Sequence, residues 1–173
     1  MRPIGPRDAG VLQAYFRGLS PESRYHRFLG AMCELPPAEL DRVIHLDQEH
    51  ELALFAETCV DGASLVIGEA RFALVPDSLE GEFALSIADD WRSKGLGTLL
   101  AADIECRAKS RGAICLAGDV LRSNRPMQAL ARKAGFHTAD VPRDARLFRI
   151  VKDLTLSQAA RSRETASDLA VAA

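Results

Sequence analysis

The sequence has no apolar run approaching the ~18 residues of a membrane-spanning helix. Its first residues, Met1-Arg2-Pro3-Ile4-Gly5-Pro6-Arg7-Asp8, lack the apolar stretch of a secretory signal, so a cytoplasmic location is expected. It also lacks an excess of positive charge: 22 Lys+Arg stand against 24 Asp+Glu, a net charge of -2. No global basic field argues for nucleic acid or an anionic membrane, and neither is expected as a partner. The four cysteines (Cys33, Cys59, Cys106, Cys115) form no C-x-x-C pair and no zinc spacing, and the four histidines (His26, His45, His50, His137) are scattered. Free thiols in a reducing compartment and no metal are the expectation. There is no internal repeat and no long linker.

What is present suits one domain with a sizeable core: 173 residues, 47% of them hydrophobic and 27% charged. Asp8 reads as an N-cap, and Val11, Leu12, Tyr15, Phe16 and Leu19 follow at helical spacing. Ser20-Pro21 opens a second helix, with a capping hydroxyl and proline at the first helical position, and Pro36-Pro37 opens a third. The texture then changes. Residues 51–60, 64–75 and 82–87 read as three strands of an antiparallel meander, broken at Asp61-Gly62 and Pro76-Asp77-Ser78. From Asp90 the pattern returns to helix, with Leu96, Leu99, Leu100, Ile104 and Ala108 as its stripe. A buried-type strand over 113–121 follows, then a helix carrying Met127, Leu130, Ala131 and Ala134 and ending at Gly135. Two last strands flank a turn at Pro142-Arg143-Asp144. The order predicts an α/β (α+β) fold over residues 1–154, a mixed and mostly antiparallel sheet with helices on both faces. Residues 155–173, rich in Ala and Ser, read as a tail.

The stretch that carries chemistry is Ile87-Ala88-Asp89-Asp90-Trp91-Arg92-Ser93-Lys94-Gly95-Leu96-Gly97-Thr98. A strand ends, a turn with two glycines follows, and an amphipathic helix begins. A helix N-terminus has free N–H groups and partial positive charge, and glycine lets backbone approach a ligand. With Arg92 and Lys94 beside it, this is a cradle for a phosphate or pyrophosphate. It is neither a Walker A loop nor a dinucleotide fingerprint, since Leu100 stands where a third glycine would fall. The bland readings are a simple turn, two surface charges and, for Asn124, a cap on the following helix.

Arg92-Ser93-Lys94-Gly95-Leu96-Gly97 fits the pattern R/Q-x-x-G-x-G/A, and Asn124-Arg125-Pro126-Met127 through Gly135-Phe136 resembles an N-x-x-A…GF segment in register behind it, with Met127 at the alanine position. On these blocks the chain resembles the GCN5-related N-acetyltransferase (GNAT) family over roughly residues 2–152. The resemblance implies that residues 87–89 and 92–98 hold the pyrophosphate arm of acetyl-CoA, with Asn124 on its pantetheine. Ser20-Pro21-Glu22-Ser23-Arg24-Tyr25-His26-Arg27-Phe28, and Gly81-Glu82-Phe83-Ala84-Leu85 through Trp91, are further similar to the GNAT domains of bacterial protein lysine acetyltransferases. Those enzymes act on acyl-CoA synthetases and usually carry a second domain, for which no room is expected within these 173 residues.

A lysine amine has a pKa of about 10.4, so an acetyltransferase must accept a proton before or during attack. Strand alternation sets Glu82, Ala84 and Ser86 on the face opposite Phe83, Leu85 and Ile87. An acidic residue beside small ones suggests an open groove, and the resemblance implies a catalytic glutamate at this position. Glu82 is the candidate base; Glu69 and Asp89 are in reserve, and a solvated surface charge is the plain alternative. A backbone N–H near Ile87-Ala88 would stabilise the oxyanion. Many GNAT enzymes carry a tyrosine as general acid where this chain has Ala131; a thiolate, from a thiol of pKa about 8.5, leaves without much help. The expected function is acetyl-CoA-dependent N-acetylation of a protein lysine by a monomer or homodimer. A small amine as acceptor, or a non-catalytic acyl-CoA sensor, are the rivals.

Overall fold

The computed structural model describes residues 1–141 and 144–155. The predicted tail, save Thr155, and the first two residues of the predicted turn at Pro142 lie outside them. Seven strands form one sheet: β1 (Arg2–Pro3), β2 (Glu51–Val60), β3 (Ala63–Leu74), β4 (Glu80–Ile87), β5 (Cys115–Leu121), β6 (His137–Asp140) and β7 (Leu147–Asp153). Their order is β1-β2-β3-β4-β5-β7-β6, and every pairing is antiparallel except β4 with β5. The expected mixed, mostly antiparallel sheet is thus present.

Alternation gives the sheet two apolar faces, each covered by helices. On one, Ala53 and Phe55 of β2 meet Leu12 and Phe16 of α1 (Ala9–Gly18) and Val43 of α3 (Pro37–Ile44), with Phe28 of α2 (Pro21–Phe28) against them. On the other, Leu54, Phe72, Phe83, Leu116 and Ile150 pack under Leu100 and Ile104 of α4 (Leu96–Ser110) and Ala131 of α5 (Arg125–Lys133). Burying a side chain of this size is worth about 1.5–3 kcal/mol, so these two layers hold the sheet between its helices.

Several local expectations change. Asp8 does not cap α1: its carboxylate instead accepts from Arg2 and from the Gly5 N–H, closing a 3-10 turn over Pro6–Asp8. Ser20 does cap α2, accepting from the Ser23 N–H. The helix expected from Asp90 starts only at Leu96; Asp89–Trp91 is a separate 3-10 turn. Leu99, placed in the buried stripe, is 59% exposed, because the stripe runs strictly at i+4 through Leu96, Leu100, Ile104 and Ala108.

The feature that makes a site is the parting of β4 and β5. They pair only from Glu80↔Cys115 to Glu82↔Ala117, although β4 continues to Ile87 and β5 to Leu121. At the fork the strands pass closely: a Cβ on Gly118 would sit 2.9 Å from the Phe83 carbonyl oxygen. Beyond it the strands diverge and leave a V-shaped gap.

Candidate active site

The gap exposes backbone polar groups. In an antiparallel pair successive residues turn their N–H groups to alternate sides. The Ala88 N–H donates to the Ile67 carbonyl at 2.9 Å, so Ala88 faces β3. The Ile87 N–H therefore points the other way, towards β5, beyond the last residue pair that joins the two strands. Of the two residues expected at an oxyanion, alternation turns the Ile87 N–H to the gap and commits that of Ala88 to the sheet.

The loop behind the gap turns on two left-handed residues. Ser93 has φ 60 and Gly95, at the N-cap of α4, has φ 85. The backbone N–H groups of Ser93, Lys94, Gly95, Leu96 and Gly97 find no acceptor among the described residues; the first paired ones, of Thr98 and Leu99, return to the Gly95 carbonyl. A run of free N–H groups at the head of a 15-residue helix is an anion cradle. A Cβ on Gly95 would meet nothing within 4 Å, so the backbone there is open to a ligand. Gly97 is different: its Cβ would lie 3.2 Å from both Ile87 Cδ1 and Leu130 Cδ2. It lets α4 close on β4 and α5. The donor set fits a pyrophosphate.

The charged residues of the loop divide. The Lys94 ammonium lies 4.6 Å from the centre of the Trp91 ring and is exposed. Arg92 pairs with Asp89 at 3.2 Å and donates to Ser23 Oγ on α2. Asp89, expected against the cofactor, is turned to α2: it accepts from the Ser20 N–H at 2.9 Å, Ser20 Oγ at 3.0 Å and Ser23 Oγ at 2.6 Å. Partial burial would raise its carboxyl; these donors and Arg92 outweigh that and hold it below the ordinary range. Asn124 caps α5, its Oδ1 accepting from the Met127 N–H at 3.1 Å.

Glu82 lies at the fork, on the face not covered by α4. Its side chain is 57% exposed and accepts from Arg149 Nη2 at 2.9 Å. Arg149 also holds Asp119 at 2.9 Å and bonds to Glu80. Three carboxylates thus share one guanidinium. Glu82 borders a cleft of about 180 Å³ lined also by Arg27, Glu51, Arg71, Ala73 and Ala84.

Glu69, held in reserve as a base, serves another purpose. It is 2% exposed and receives Arg27 through two bonds of 3.2 Å, together with Arg71 from its own strand. Burial alone would raise its carboxyl; the two guanidiniums reverse this and hold it below the usual carboxylate range. Ser86 Oγ approaches it at 3.5 Å and bonds to the buried Tyr15 hydroxyl at 3.0 Å. These partners anchor α1 and α2 to the sheet. Sequence reasoning did not find the pair of Glu69 with Arg27, 42 residues apart; the only signal was an acidic residue inside an apolar strand. Ala131, where a tyrosine acid was looked for, is buried in the core.

Away from the gap, Asp47, Glu49 and His50 cluster on the surface, with His50 Nδ1 2.7 Å from Asp47 Oδ2. No helix among the described residues is long and apolar enough to cross a membrane.

Comparison with known proteins agrees with this architecture. An acetyltransferase of Pseudomonas aeruginosa is 30% identical over 136 residues, 79% of this chain and 73% of that protein. The GNAT domain of S. lividans PAT superposes with a TM-score of 0.79 at 25% identity, covering 88% of each chain. The PaiA N-acetyltransferase of Thermoplasma acidophilum, solved with coenzyme A, shares the fold at a TM-score of 0.62 and 20% identity, over 88% of this chain and 96% of that one. The profile of the acetyltransferase (GNAT) family matches residues 16–136, and with a split sheet, a free N–H cradle and this match the chain belongs to the GNAT family of acetyl-CoA-dependent acyltransferases.

Proposed function

We propose that this acetyltransferase acts on the side-chain amine of a protein lysine, with Glu82 as the general base. The observation that carries the reading is the position of Glu82: it stands at the fork of β4 and β5, beside the gap and on the rim of the cleft. A lysine ammonium must lose a proton to become a nucleophile, and a water-accessible carboxylate can take it directly or through water. Arg149 holds that carboxylate in place.

The surroundings favour a cationic acceptor. Among the described residues, Glu80, Glu82 and Asp119 are paired with Arg149 alone, three carboxylates to one guanidinium. The cleft is well below the ~300–1,000 Å³ of pockets that enclose a whole ligand, and suits one extended side chain entering from a larger partner. Acetyl-CoA supplies the activated acyl group. For it, the N–H groups of Ser93–Gly97 and the Arg92 side chain would hold the pyrophosphate, with Lys94 adding charge and Thr98 closing the first turn. The amide of Asn124 would reach the pantetheine, and the Ile87 N–H is aimed to donate to a carbonyl oxygen in the gap. The likeness to protein lysine acetyltransferases makes acyl-CoA synthetases the first acceptors to try.

Labelled acetyl-CoA, the purified protein and a cell lysate separated by size test the reading. Label is expected in the macromolecular fraction and lost with Glu82→Gln, by the ~10²–10⁴-fold that general-base catalysis contributes, while acetyl-CoA still binds. Label confined to small molecules would overturn the protein acceptor, and undiminished turnover by Glu82→Gln would overturn the base.

A further inference from the structure

Arg92 belongs to the cofactor loop, yet it is bonded to the first turn of α2. Resting on the reading of that loop as the pyrophosphate site, we propose that Arg92, Ser23 and Asp89 form a coupling element: coenzyme A bound at the loop fixes α2, and so completes the wall of the acceptor cleft.

The bonding supports one guanidinium serving both sides. Arg92 Nη2 donates to Ser23 Oγ and Nη1 pairs with Asp89 Oδ1 at 3.2 Å. A guanidinium has five N–H donors in a rigid fork, so three remain. Its side chain is 38% exposed. It can therefore meet a phosphate oxygen without releasing Ser23. Ser23 itself is 4% exposed and each of its polar groups is used: its N–H goes to Ser20 Oγ, its hydroxyl donates to Asp89, and its oxygen accepts from Arg92. It is a positioning residue; it faces the loop residues rather than the ligand space.

α2 needs such ties. It spans only Pro21–Phe28, and helices shorter than ~12–15 residues are marginal on their own. Its N-terminus is held by Asp89 and Arg92, and its last turn by His26 to Ser123 Oγ at 3.3 Å and by Arg27 to Glu69. Arg27 lines the cleft. A ligand that stiffens the loop therefore stiffens the cleft wall through one short helix. Cofactor binding then favours acceptor binding, and by linkage the acceptor tightens the cofactor equally.

Hydrogen exchange tests this without knowing the acceptor. In the wild-type protein, saturating coenzyme A is expected to slow exchange of the amides over residues 22–28 by at least about fivefold, the lower end of ordinary coupling. In Ser23→Ala, coenzyme A should still bind in calorimetry, but the slowing at α2 should disappear. Ser23→Cys keeps a small side chain but offers Arg92 only a weak sulfur acceptor, and should behave alike; it stands in if Ser23→Ala does not fold. Unchanged α2 exchange in the wild type on binding, or slowing that survives both substitutions, would overturn the coupling and leave the loop assignment standing. No binding of coenzyme A to the wild type would overturn both.

Discussion

Arg149 Nη2 lies 2.9 Å from Glu82 Oε1 although β5 separates their strands. The register explains the reach: Glu82 pairs with Ala117 on β5, and Asp119, two residues on along the same face, pairs with Arg149 on β7. Arg149 extends back across β5 and collects Glu80, Glu82 and Asp119. Burial works against its charge, but the three carboxylates prevail and raise its pKa.

Arg149→Met should therefore affect activity more than stability. Exposed ion pairs are worth about 0–1 kcal/mol, so the melting temperature should fall little. A base displaced by about 1 Å can cost ~100-fold, so kcat should drop by up to that factor while the Kd for acetyl-CoA is unchanged. Steady-state kinetics beside calorimetry decide; an unaltered kcat would remove Arg149 from the site.

Glu69→Gln should be severe for the fold instead. Gln keeps the shape but leaves Arg27 and Arg71 without their shared counter-charge, and breaking a buried pair costs about 3–5 kcal/mol. The pH dependence follows in sign. The folded-state pKa of Glu69 lies below its unfolded value, so its contribution is complete above the unfolded pKa and is lost as pH falls through the folded one. Urea melts of the two proteins should thus differ widely at pH 7 and converge as the solution is acidified through the carboxylate range. A constant difference down to pH 2 would contradict the assignment.

What could be read in advance was whatever local chemistry determines. Asp61-Gly62 set the turn of β2 and β3, and Ser20-Pro21 set the start of α2, since turn and cap preferences act within four residues. The alternation of Glu82 against Phe83 needed only the strand period. What could not be read were partners distant in sequence. Asp89 looked like part of a phosphate loop and proved to grip Ser20 and Ser23, nearly seventy residues earlier. Asp8 looked like a cap, but Arg2 and the Gly5 N–H claimed its carboxylate. In each case a charged side chain chose among acceptors or donors that only the folded chain brings near.

The two glycines of the loop should respond differently. Gly95→Ala meets no neighbour, and its left-handed φ costs an alanine about 1–2 kcal/mol. Its methyl would stand where a ligand approaches, so acetyl-CoA affinity should fall about tenfold, which is 1.4 kcal/mol. Gly97→Glu would instead push into Ile87 and Leu130, and should lower both melting temperature and affinity. A stable Gly97→Glu protein that fails only in binding would mean that this residue, too, faces the ligand.

Asn124 carries two assignments that can be separated. Its Oδ1 caps α5 by accepting from the Met127 N–H at 3.1 Å. Serine is an equally good cap, so Asn124→Ser should leave the melting temperature nearly unchanged, whereas Asn124→Ala should cost about 1 kcal/mol. Both remove the amide donor. If that amide meets the pantetheine, both should weaken acetyl-CoA by about 5–10-fold, in the range of one net hydrogen bond. Binding titrations of the two variants, read against their melts, separate the roles. Weakened binding in Asn124→Ala alone would show that the residue serves the site only through the helix it caps.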